Sequence, residues 1–66
     1  MYVITAKIGI NGETPYTHYL YGFENANPGW SDHIHDAWQM SHERAKGLKE
    51  FLRKLDPESK LQLKRV

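Results

Sequence analysis

Residues 41–55 read SHERAKGLKEFLRKL, and this stretch decides the fold. Ala45, Leu48, Leu52 and Leu55 recur at spacings of three, four and three, which on a 3.6-residue period places them on one stripe with Phe51 at its edge. Ser41 is a good N-cap and Glu43 adds a negative charge to the first turn. The pair Asp56-Pro57 is a stop, because proline cannot continue a helix and biases the residue before it out of the helical region. The pattern predicts an amphipathic helix over about residues 42–55, and such a helix needs a sheet to lie on.

Working outward, the first ten residues alternate Ile4, Ala6, Ile8 and Ile10 against Thr5, Lys7 and Gly9, the period of two of a strand with one buried face. Asn11-Gly12 is a favoured pair for a two-residue type I′ turn. Residues 16–23, YTHYLYGF, then read as the returning strand of a hairpin 2–10/16–23. A tight turn sets Ile4 opposite Tyr19, Ala6 opposite Thr17 and Tyr2 opposite Tyr21. That register collects Ile4, Ile8, Ile10, Tyr19, Tyr21 and Phe23 on the core face and leaves His18 and Leu20 on the other with Val3, Thr5 and Lys7. A slip of one residue exchanges the two faces, and Pro15, which lacks a ladder donor, makes such a slip easy.

Residues 24–29, ENANPG, are turn chemistry and read as a surface loop. Residues 30–40 accept two readings. In one, Ser31 caps a helix that continues to Leu55; in the other, a turn is followed by a short extended piece over 37–40 with Trp38 and Met40 inward, and Ser41 starts the helix. A helix over 32–55 would be ~36 Å long at 1.5 Å per residue, which is long for so small a domain, so the broken reading is preferred. Leu61 and Leu63 alternate with Lys60, Gln62 and Lys64, giving a final strand over 60–65. The fold class expected is α+β: one domain over residues 1–66, a small antiparallel sheet with the first strand inside it, and one helix packed on one face.

With 66 residues and no cysteine, the chain has no disulfide to staple it. Its two Trp, four Tyr and two Phe must carry much of the packing, since a chain this short buries only about 60% of its unfolded surface. The first residues lack the pattern of a secretory signal, and no apolar run approaches the ~20 residues that span a bilayer. A cytoplasmic location without membrane association is expected. Residues 1–40 carry Lys7 against Glu13, Glu24, Asp32 and Asp36, net −3, whereas residues 41–66 carry eight basic and four acidic residues, net +4. An acidic end and a basic end follow.

Five features of the sequence are candidates to carry chemistry. Asp32, His33, His35 and Asp36, with His18 and His42, are ligand types for a transition metal, but the i, i+4 His spacing of a zinc helix is missing and a solvated loop explains them better. Ser31 and Ser41 serve as turn or capping residues without the glycine pattern of a nucleophile elbow. No catalytic residue, metal or cofactor is assigned. The basic residues Lys46, Lys49, Arg53, Lys60, Lys64 and Arg65 could follow a phosphate backbone, against which stands the Glu50–Lys54 pairing of an ordinary solvated helix. Gly47 inside the helix and the surplus of aromatic rings both leave room for a close partner, a homodimer included.

The pattern WxDxxxDAWxM followed by SxERAKxLKEFLxKL rests on Trp30, Asp32, Ala37, Trp38, Ala45, Leu48, Phe51 and Leu52. It sits behind an aromatic hairpin and ahead of a terminal strand, and it resembles small orphan proteins of bacteriophage or prophage type. The resemblance implies a non-enzymatic modulator of a host or phage protein, a class that includes inhibitors of bacterial defence systems. It carries over no functional residues. The leading expectation is therefore a protein-binding module, possessing no enzymatic activity and using Tyr16, His18, Leu20, Trp30, Asp32 and Asp36. The alternative is a nucleic-acid-binding domain using the basic set above.

Overall fold

In the computed structural model, which describes residues 1–9, 12 and 14–66, the chain forms four strands and one long helix. The strands are β1 (Tyr2–Ile8), β2 (Tyr16–Glu24), β3 (Asn27–Ser31) and β4 (Lys60–Arg65), and the helix is α1 (His42–Leu55). All strand pairs are antiparallel in the order β3-β2-β1-β4, with α1 against β1 and β4. This is the α+β class that the helix stripe and the flanking alternations predict. Ser41 caps α1 by accepting a hydrogen bond from the Arg44 backbone N–H at 3.3 Å, and the Asp56 N–H closes the other end on the Leu52 carbonyl. Among the described residues no helix is long and apolar enough to cross a membrane.

The core gathers Ile4 from β1, Leu20 from β2, Met40, and Ala45 and Leu52 from α1, with Tyr2, Trp30, Leu48, Leu61 and Leu63 packed around them. This core departs from the sequence expectation in two places. The β1–β2 register is one residue out of phase with the tight-turn expectation, since Tyr19 lies opposite Thr5, His18 opposite Ala6 and Thr17 opposite Lys7. The side chains of β2 ahead of Gly22 therefore change face relative to that expectation, and Leu20 moves into the core, fully buried, in place of Tyr19. The expected Asn11-Gly12 turn and the core position of Ile10 involve residues outside those described. The second correction concerns the helix stripe, whose last member Leu55 is 54% exposed instead of buried.

Residues 24–29 are a hairpin rather than a plain loop. Glu24 pairs with Asn27 across a two-residue connection in which Asn25 and Ala26 have φ of 50° and 66°, the left-handed pair that a type I′ turn requires. Pro28 and Gly29 obscured β3 in the sequence, yet both suit it. Proline is acceptable on an edge strand, and β3 is one. Gly29 makes room for the Tyr21 ring, because a Cβ at position 29 would lie 2.6 Å from the Tyr21 hydroxyl oxygen and 2.8 Å from its Cε1. The register with β3 shifts between Leu20 and Gly22, the signature of a bulge, which returns Phe23 to the helix side of the sheet.

The broken reading of residues 30–40 describes the chain. Ile34–Asp36 make a single 3-10 turn, the Trp38 N–H donates to the Leu20 carbonyl, and Met40 pairs with Tyr2 through two backbone hydrogen bonds of 2.7 and 2.9 Å. Met40 is buried as expected. Trp38 is not: it stays 38% exposed, with the Arg44 guanidinium 5.7 Å from its ring.

Candidate functional site

Leu55 is one of several exposed apolar side chains around the last turns of α1. On α1, Phe51 and Leu55 stand one turn apart and so share a face. The Phe51 ring meets the Phe23 ring of β2 edge to face, centroids 6.4 Å apart. Phe23 in turn lies opposite Pro28 in β3. Leu55 and Pro28 both line a groove of about 300 Å³, whose floor includes Ala6, Trp30, Leu52 and Leu61. The exposed, contacting rings of Phe23 and Phe51 thus lie one helical turn from Leu55, which lines the groove. Lys7, Asp56 and Glu58 contribute charges of both signs to the groove's lining.

The residues expected to meet a partner are only partly brought together. His18, Trp30, Asp32 and Asp36 line one shallow depression of about 630 Å³ with Tyr21 and Ser31. Tyr16 is exposed beside it, its ring 4.5 Å from that of His18. Leu20 cannot belong to a surface of any kind, because the one-residue phase shift puts it in the core. Asp36 is already engaged, accepting a 2.7 Å hydrogen bond from the Ser31 hydroxyl, which itself accepts from the His33 N–H. His33 lies 3.3 Å from Asp32. Among the described residues no three His, Asp or Glu side chains converge in a metal-binding group.

The basic residues divide. Lys49, Arg53 and Lys60 line a small depression between the helix flank and β4 together with Pro57 and Ser59. Lys60 and Lys64 project from β4 on the sheet face away from α1, where Lys7 joins them from directly opposite Lys60. Arg65, opposite Tyr2, belongs to the helix side, and Lys46 lines none of these depressions.

The sheet's second face is not bare. Val3 and Thr5, of opposite parity to Ile4 and Ala6, are also buried, so the middle of β1 is closed on both sides. Tyr19 and Gln62 flank Thr5, and Lys64 flanks Val3. Tyr21 remains 40% exposed, its hydroxyl donating to Glu24 at 3.2 Å. That hydrogen bond, followed by the nearby negative charge, raises the Tyr21 phenol above the ordinary tyrosine range.

Sequence reasoning missed Phe23 and Leu55 as surface residues. The aromatic surplus was the available signal; the helix period could not reveal that the last turn of α1 leaves Leu55 uncovered. Comparison of the chain with protein-family models, with curated proteins and with solved structures finds no match.

Proposed function

We propose that this chain is a small non-enzymatic protein-binding module that docks through Phe23, Phe51 and Leu55 and the groove they border. The observation that carries the reading is the exposure of two contacting phenylalanine rings beside an apolar groove, in a chain too short to waste large side chains. Aromatic anchors surrounded by mixed charge are what the energetic centre of a protein interface requires. The partner surface that fits is a protruding apolar side chain, seated in the groove and ringed by polar groups that meet Lys7, Asp56 and Glu58. The likeness to phage-type orphan proteins makes a host protein the target to look for, and blocking that target's surface the mode of action.

The site differs from the one expected from sequence, in that the apolar helix-side surface replaces the Trp30 to Asp36 stretch as the anchor. The test compares the wild-type chain with Phe51→Ser and Leu55→Ser as bait in a host lysate. Retention of a stoichiometric protein partner by the wild type, reduced at least about tenfold by either variant while the circular dichroism melt is unchanged, supports the reading. Equal retention by all three baits removes it.

A further inference from the structure

The sheet face away from α1 has a charge arrangement that folding alone does not explain. Lys7 and Lys60 stand directly opposite each other on neighbouring strands, and Lys64 lies on the same face of β4. Like charges in direct cross-strand register repel, so this placement works against the sheet it sits in. Among the described residues no carboxylate lies within ion-pair distance of these lysines, the one ion pair there being His33 with Asp32. On this face β2 places Tyr19 in register with Thr5, and toward the β3 edge the bulge presents the exposed Tyr21 ring, steadied by Gly29 beneath it and by its hydrogen bond to Glu24, beside the depression it lines with Asp32 and Asp36. The positive charge continues around the open edge of the sheet, where Lys60 shares a depression with Lys49 and Arg53.

We infer that this face binds single-stranded nucleic acid, Lys7, Lys60 and Lys64 meeting phosphates while Tyr19 and Tyr21 stack against bases. Charge complementarity selects a polyanion, and the rings select among polyanions. A duplex hides its base faces, whereas a single strand can lay unstacked bases on an aromatic sheet and keep its backbone along a basic border. The surface lies apart from Phe23, Phe51 and Leu55 and shares only Lys7 with the lining of their groove, so variants at Lys60, Lys64 and Tyr21 test it independently of the protein-docking reading.

The test is a fluorescence anisotropy titration of the purified chain with a labelled 12-nucleotide single strand, as DNA and as RNA. The matching duplex and polyglutamate serve as competitors, at 50 and 200 mM salt. The expected result is single-strand binding that weakens steeply with salt, with a log–log slope reduced by about 0.7 for each of Lys7→Gln, Lys60→Gln and Lys64→Gln. Tyr21→Leu should weaken binding about tenfold with the slope unchanged. Lys54→Gln, on α1 away from this face, and Phe51→Ser should leave both unchanged. Absence of single-strand binding at 50 mM salt overturns the inference. So does competition by polyglutamate as strong as that by the single strand with Tyr21→Leu silent, which would assign the face to acidic proteins.

Discussion

Phe23 on β2 and Phe51 on α1 touch edge to face across the boundary between sheet and helix, yet remain 37% and 51% exposed. The contact closes the core at its rim without sealing it. It joins two elements far apart in sequence and leaves both rings available on their outer sides. Leu55 extends the same surface by one helical turn to the groove under which Trp30 and Leu52 lie.

The phase of β2 is the first point open to measurement. With Leu20 fully buried against Ile4, Met40 and Leu52, Leu20→Ala should cost about 2–5 kcal/mol in urea denaturation. A register with Tyr19 inward would leave Leu20 on the surface, and the same substitution would then cost under about 0.5 kcal/mol.

The β2–β3 turn carries strain that can be relieved. Ala26 holds φ at 66°, a conformation costly for a residue with a Cβ and free for glycine. Ala26→Gly should raise stability by about 0.5–1 kcal/mol, after subtracting the extra freedom glycine gains in the unfolded chain. For a domain this size that appears as a rise of a few degrees in the thermal midpoint.

Gly47 separates folding from recognition. A Cβ there meets nothing within 4 Å, so Gly47→Ala should stabilise the isolated chain by about 0.5–1 kcal/mol through helix propensity. Since Gly47 is not part of the apolar surface, the same variant should retain the partner as the wild type does, as read by quantitative pull-down.

Tyr21 gives a pH signature. Its protonated form donates to Glu24, so its folded pKa lies above the unfolded one. The associated stabilisation is complete below the ordinary phenol range and is lost as pH rises through the higher folded value. In a spectroscopic titration Tyr21 should therefore ionise later in the wild type than in Glu24→Gln.

The helix, its Ser41 cap, the final strand and the break before Ser41 were legible because each rests on local chemistry: a 3.6 period, a capping hydroxyl, an alternation, a length limit. The third strand was not, because Pro28 and Gly29 carry loop propensities that edge position and the Tyr21 ring override. The register of β2 depends on the connection between residues 9 and 15, and a one-residue difference there exchanges Leu20 with Tyr19. That exchange decides which rings face outward, so the open-face residues Tyr19 and Tyr21 could not be found by alternation alone. Leu55 and Phe51 were visible as apolar residues, but their exposure depends on where the sheet stops beneath the helix. Lys60 and Lys64 were named from the sequence; their alignment with Lys7 needed the β1–β4 register.

Docking through Phe51 is tested by placing a photo-crosslinking phenylalanine analogue at position 51 and, as a control, at position 43 on the first turn of α1, then irradiating each chain in bacterial lysate. The expected result is a discrete adduct to one foreign protein from position 51, abolished by excess unlabelled wild-type chain and undiminished by excess Phe51→Ser chain. Adducts from position 51 that match those from position 43, resist competition, or join only a second copy of the chain would contradict it.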